Sequence, residues 1–182
     1  MAKREQGDMV RQKEANRLYQ RGEQHWSRGR LRLAFRCFLA AAKAGTVPTF
    51  RIVAQFYDRG EGVKADENAA LFWYRRAYRD GDDYSAANNI GCIWRDRGKP
   101  NRALMWFQRA IKLGDADASL NIAKIYLYKK ADLGKAIHYL NKTRKSRRAT
   151  EGSRGEAEAL LKKAKGNRMD SASRSRSPRG PN

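Results

Sequence analysis

Cysteine, histidine and long apolar runs are all scarce in this chain of 182 residues, and acidic residues are few beside basic ones. Cys37 and Cys92 stand far apart, and the only histidines are His25 and His138. That supply excludes a disulfide framework and the CxxC or HxxxH spacings of zinc sites, so two buried free thiols are expected, with no metal and no cofactor. No stretch approaches the ~20 apolar residues that a membrane-spanning helix needs. The opening MAKREQGD leads into no apolar run of the secretory kind, so the expected location is cytoplasmic. Phosphate-loop chemistry is also missing: Gly60-x-Gly62 has no strand before it and no Lys-Ser/Thr after it.

What is present in excess is positive charge, with 40 Lys and Arg against 19 Asp and Glu and a formal net charge of +21. Its placement is uneven. Residues 1–45 carry 11 basic and 4 acidic side chains, residues 46–142 carry 17 and 11, and residues 143–182 carry 12 and 4. The two ends therefore hold most of the excess, and the centre is balanced like an ordinary soluble domain. Such ends attract acidic protein, nucleic acid or anionic membrane without choosing among them. With 41% hydrophobic and 10% aromatic residues, the chain can bury a core.

Internal repetition is the strongest signal. Ala34, Ala70, Ala103 and Ala136 are spaced by 36, 33 and 33 residues, and Gly45, Gly81 and Gly114 repeat the 36 and 33. Each alanine opens an i, i+3, i+4, i+7 stripe: Ala34-Cys37-Phe38-Ala41, Ala70-Trp73-Tyr74-Ala77, Ala103-Trp106-Phe107-Ala110 and Ala136-Tyr139-Leu140-Thr143. That spacing marks one face of a helix, with small residues at its ends for close approach and aromatics between. The following glycine suits a left-handed helix stop. Preceding stripes, Phe50-Val53-Ala54-Tyr57, Ala87-Ile90-Gly91-Trp94 and Ser119-Ile122-Ala123-Tyr126, mark the first helices of the hairpins. Short turns at Arg28-Gly29-Arg30 and Arg97-Gly98-Lys99-Pro100, and a longer one at Arg59-Gly60-Glu61-Gly62-Val63, imply antiparallel pairs stacked in line.

The second unit, VAQFYDRGEGVKADENAALFWYRRAYRDG (Val53 to Gly81), resembles the Sel1-like repeat: an aromatic, a G-x-G-V loop, an acidic residue, then A-x-x-W-Y-x-x-A and a closing glycine. The third, NIGCIWRDRGKPNRALMWFQRAIKLGD (Asn89 to Asp115), is similar to a tetratricopeptide unit through its short turn. The outer repeats depart from the pattern, with Arg21 and His25 beside Leu18 and Gly22 in the first and Thr143 for the last alanine in the fourth. A terminal repeat needs such departures, because its outer face meets water. The resemblance implies an all-α fold: a right-handed α-solenoid of about four antiparallel helix-turn-helix repeats, with a C-terminal capping helix and a disordered basic tail.

The expected organisation is a frayed basic N-terminus (1–10), a repeat domain (11–148, with repeats near 15–48, 49–82, 83–115 and 116–148), a linker and capping helix (149–167) and a disordered Ser/Arg-rich tail (168–182). Ser153 and Glu156 form a capping-box spacing, and Ala157-Leu160-Leu161-Ala164 spells the stripe of a helix over 154–165. The acidic pairs Asp66-Glu67 and Asp82-Asp83 fall at helix starts and loops, where they satisfy free amides.

No nucleophile, acid–base pair or metal cage stands out, so an enzyme is the least supported reading. Stacked hairpins bind through the concave wall built by their first helices. The positions on that wall pointing away from the packing stripe are Asn16, Tyr19, Glu23 and Trp26, then Arg51, Gln55 and Asp58, then Ser85, Asn88 and Arg95, then Lys124. Polar groups beside Tyr and Trp anchors suit a peptide or protein edge, an acidic one included. Trp73, Tyr74, Trp94, Trp106 and Phe107 are expected in the core by their spacing and not as base-stacking platforms. The primary expectation is a non-enzymatic adaptor binding a protein or peptide, as the Sel1-like resemblance also implies, with no small-molecule substrate. The alternative is a nucleic-acid-associated protein using basic clusters at Arg28-Arg30-Arg32, Arg75-Arg76-Arg79, Arg144-Lys145-Arg147-Arg148 and Arg174-Arg176-Arg179 to engage phosphate.

Overall fold

A computed structural model describes residues 2–174, with burial assigned for residues 6–7 and 9–164. Among the described residues the regular structure is entirely helical: α1 (Ala2–Ser27), α2 (Leu31–Lys43), α3 (Val47–Arg59), α4 (Glu67–Gly81), α5 (Tyr84–Asp96), α6 (Pro100–Lys112), α7 (Ala118–Tyr128), α8 (Leu133–Lys145) and α9 (Glu151–Arg174). The chain divides into two compact units, Met1–Ile93 and Trp94–Asn182.

In the first unit α1 packs on α2, α2 on α3 and α3 on α4. The expected stripes supply the core: Ala34, Phe38 and Ala41, then Phe50, Val53 and Ala54, then Ala70, Trp73, Tyr74 and Ala77 are buried. Phe35, Ile52, Phe56 and Leu71 join them, while Cys37 and Tyr57 are only partly covered. Close approach depends on residues without side chains. A Cβ on Gly22 of α1 would stand 2.7 Å from the Phe38 ring, so this glycine lets α1 and α2 meet over an aromatic. The Gly60–Val63 loop is equally tight, because a Cβ on Gly62 would come within 2.5 Å of the Leu31 backbone.

Helix ends follow the local chemistry with one shift. Asp66 caps α4 by accepting the N–H groups of Asn68 and Ala69, both at 3.0 Å, and Asp83 caps α5 by accepting the N–H of Ala86 at 2.9 Å. Gly45 and Gly114 take positive φ as expected, but Gly81 stays helical and Asp82 makes the left-handed stop at φ 46°. The glycine is needed there for space: a Cβ on Gly81 would stand 2.7 Å from Val47 Cγ1 at the start of α3.

In the second unit α6 packs on α7, α7 on α8 and α8 on α9. Ala103, Trp106, Phe107 and Ala110, with Ser119, Ile122, Ala123, Ala136 and Leu140, are buried. Thr143 is buried in the place of an alanine, and its hydroxyl donates to the Tyr139 carbonyl at 3.1 Å, which satisfies it within its own helix. Tyr139 stacks on Tyr126 with centroids 6.0 Å apart. Helix α9 covers the end of the unit, setting Ala157 and Leu161 against Leu120, Ala123 and Leu140.

The start of α9 corrects the capping-box reading. The cap is Thr150 and not Ser153: the Thr150 hydroxyl accepts the Ser153 N–H at 3.2 Å, and its carbonyl accepts the Arg154 N–H at 3.0 Å. Asp117 Oδ1 explains the earlier start, because it accepts both the N–H and the hydroxyl of Thr150, at 2.9 and 3.3 Å, pinning that residue beside α7. The helix runs on to Arg174, beyond the 154–165 expected for it, and α1 already begins at Ala2, within the stretch expected to fray. Residues 175–182 of the expected tail lie outside the described residues.

Candidate functional site

Asn16, Tyr19, Glu23 and Trp26 recur at helical spacing along one side of α1. Asn16 is exposed and accepts a hydrogen bond from Gln12 at 3.3 Å, and Glu23 is exposed as well. Tyr19 leans on Phe38 with centroids 5.8 Å apart. Trp26 keeps 39% of its surface open although its ring is fixed on two sides, edge-on to Phe38 at 6.0 Å and tilted against Phe56 at 6.1 Å. With Glu23 and Ser27 it lines an open cleft of about 250 Å3. An indole so held gives up little freedom on meeting a ligand, and a carboxylate stands beside it.

The α3 positions are engaged internally. Arg51 Nε donates to Asp83 Oδ2 at 2.8 Å, linking α3 to the residue that caps α5. Asp58 accepts the hydroxyl of buried Tyr74 at 3.1 Å, and Asn89 of α5 stands near the same phenol. Burial first, then the Asp58 charge, pushes the Tyr74 pKa far above the ordinary tyrosine value. Gln55, Ser85 and Asn88 are half-buried. Sequence spacing missed the Tyr74–Asp58 and Arg51–Asp83 links because the partners come from other helices or the loop before α5. Only the place of Asp83, just after a helix stop, hinted at its capping role.

In the second unit, Arg95 makes a two-pronged contact with its neighbour Asp96, at 2.8 and 3.2 Å. Lys124 of α7 meets Glu156 of α9 at 2.8 Å. These two residues are thus held by carboxylates. Of the expected partner-facing set, the structure gathers Asn16, Tyr19, Glu23 and Trp26 on one face and ties Arg51, Asp58, Arg95 and Lys124 into internal pairs.

The basic clusters also separate. Asp80 takes Arg79 at 2.6 and 3.1 Å and Arg76 at 3.5 Å, and Arg76 lies over the Phe50 ring at 4.1 Å. Arg79 holds the Asp80 carboxyl below the ordinary carboxylate range, and Asp80 offsets one of the three charges of this cluster. Arg28, Arg30 and Arg32 are exposed around the first turn. Arg144, Lys145, Arg147 and Arg148 are exposed or half-exposed at and beyond the end of α8. Arg174 ends the described backbone with no side chain described, and Arg176 and Arg179 lie outside the described residues.

Among the described residues no three of His, Cys, Asp and Glu come together as a metal-binding group, and Cys37 and Cys92 are outside any disulfide and only partly buried, where burial was expected. No helix among them is long and apolar enough to cross a membrane. His138 is exposed with its edge on Tyr139 at 5.2 Å.

The family profile for the Sel1 repeat matches residues 15–46, 52–82, 85–115 and 116–144, one segment per hairpin. Among solved structures, a Sel1 repeat protein from Oxalobacter formigenes is 24% identical with a TM-score of 0.65, over 82% of this chain and 63% of that one. c5321, a protective antigen of uropathogenic Escherichia coli strains displaying an SLR fold, is 20% identical with a TM-score of 0.67, over 81% of this chain and 32% of its own. MamA is 21% identical with a TM-score of 0.60, over 92% and 98%. The chain thus spans 63% and 32% of the lengths of the first two. These likenesses show the fold: an all-α solenoid built from helix-turn-helix repeats. No curated protein sequence matches.

Proposed function

The chain belongs to the Sel1 repeat family, whose repeats build protein-interaction scaffolds, and on that premise we propose that it is a non-enzymatic adaptor whose α1 face holds a protein or peptide. The observation that carries this reading is Trp26, open to solvent over 39% of its surface while packed against Phe38 and Phe56. A large ring kept exposed and rigid is what an interface anchor requires, since hot spots concentrate on aromatic side chains that lose little entropy on binding. Tyr19 adds a second aromatic on the same helix face, and Glu23 between them offers a carboxylate to a backbone N–H or a cation on the partner.

Capture from lysate after nuclease treatment, at physiological and at high salt, tests the proposal. Wild type should retain a discrete protein at both salt levels, and Glu23→Lys, at an exposed position of α1, should release it. Truncation by Trp26→Ala should cost roughly 2–4 kcal/mol of binding. A partner retained equally by wild type, Glu23→Lys and Trp26→Ala would overturn the assignment.

A further inference from the structure

We propose that the end of α8 and the linker to α9 form a docking site for the phosphodiester backbone of nucleic acid, separate in sequence from the α1 face. Arg144, Lys145, Arg147 and Arg148 all reach solvent, and among the described residues none of the four has a carboxylate partner. Four acids of the same unit are held by other groups, while Glu151, close by in sequence, and Glu158, beside Arg144, stand exposed and make no ion pair, among the described residues, with any of the four cations. Asp117 accepts from Thr150, Glu156 pairs with Lys124, and Asp132 pairs with Lys135 at 2.9 Å. Asp115 is buried and accepts the N–H groups of Asp117 and Ala118.

The dipole of α8 accounts for the cations of its own last turn, Arg144 and Lys145 among them, but that effect fades within the turn. It gives no reason for Arg147 and Arg148, which lie past the helix end. Two open clefts flank the segment. One, of about 180 Å3, sets Arg148 and Lys142 beside Ser146 and the Gly114–Ala116 loop. The other, of about 320 Å3, sets Arg144 and Lys162 beside Asn141 and Glu158. Each sets two cations and a neutral hydrogen-bonding side chain beside one carboxylate, Asp115 in the first and Glu158 in the second, and so keeps a positive balance that suits a phosphate group.

The character of the surface selects the occupant. None of the exposed large hydrophobic residues lies between 142 and 164, so the segment lacks the apolar or aromatic anchors on which protein recognition concentrates its energy. A phosphate chain needs none, because neutralising it releases counterions whatever the sequence.

The test uses the full-length protein and a fluorescein-labelled oligothymidylate, with binding measured by anisotropy across a salt series. In wild type log K should fall linearly with log salt. Neutralising Arg144, Lys145, Arg147 and Arg148 together to Gln should reduce that slope by about 0.7 for each phosphate left without its cation and weaken binding more than about tenfold at low salt. Neutralising Lys13, Arg36, Lys43 and Lys64, exposed cations of the other unit outside every basic cluster, to Gln removes the same charge and should leave the slope nearly unchanged. Circular dichroism checks folding, and the single variant Arg147→Gln, expected to lower the slope by about 0.7, serves if the fourfold variant is unfolded. Equal slopes for wild type and the 144–148 variants, or equal losses from both fourfold sets, would overturn the site. Labelled poly-glutamate binding as tightly as the oligonucleotide would overturn the choice of occupant in favour of an acidic protein.

Discussion

Buried polar groups distinguish this chain from a plain stack of apolar hairpins. The Tyr74 phenol donates to Asp58 inside the first unit, at the cost of desolvation that raises its pKa. Because the folded protein keeps the phenolic proton more tightly than the unfolded chain, this group favours folding below about pH 10 and loses that contribution as the unfolded tyrosine ionises above it. In an alkaline titration followed by phenolate absorbance, the Tyr74 signal is expected only with unfolding, and Tyr74→Phe should remove it. The same variant should lower stability by about 1 kcal/mol in denaturant melts, since Asp58 is exposed and regains water when the hydroxyl is gone. Asp115 works in the same sense at acid pH. Burial raises its carboxyl pKa despite two backbone N–H donors, so acidification from neutral stabilises the second unit through this group until the unfolded value near about pH 4 is reached. Asp115→Asn should therefore be at least as stable as wild type at neutral pH, with the difference shrinking toward about pH 4 in a pH series of melts.

Helices were legible in the sequence where burial alone sets the pattern. The Ala70-Trp73-Tyr74-Ala77 and Ala103-Trp106-Phe107-Ala110 stripes are buried throughout, because a helix packed on both neighbours must hide one face at its own period. Helix ends were less legible where tertiary approach decides them. Gly81 reads as a helix stop, yet the close start of α3 needs it within the helix and leaves the turn to Asp82. Ser153 reads as a cap, yet Asp117, 33 residues upstream of Thr150, fixes the start three residues earlier. The same limit applies to the candidate site: spacing placed Tyr19, Glu23 and Trp26 on one face, but could not foresee Asp83 of the α4–α5 turn and Tyr74 of α4 claiming Arg51 and Asp58. Helix α9 carries its own prediction. Leu161 packs with Leu120 and Leu140, so Leu161→Ala should cost roughly 2–4 kcal/mol. Hydrogen exchange should then show faster opening of amides 151–164, with those of the first unit unchanged; uniform loss of protection along the chain would argue against a separate cap.

For the whole molecule, the two proposed kinds of recognition fall on different stretches of one chain. Residues 16–26 offer rigid aromatic surface and a carboxylate, while residues 144–148 offer cations without acidic partners. The first should bind independently of salt and the second should follow it steeply, because one depends on buried contact and the other on counterion release. A net charge of +21 makes nonspecific adhesion a real competitor for both, so position-specific evidence matters more than capture alone. Photo-crosslinking supplies it. A benzophenone amino acid is placed at Trp26 or, as a control, at Phe72, an exposed aromatic of α4, and crosslinks are read after nuclease treatment at high salt. The probe at Trp26 should yield one discrete protein adduct that the probe at Phe72 does not; matching adducts from both positions, or adducts that vanish with nuclease, would contradict a protein-binding α1 face.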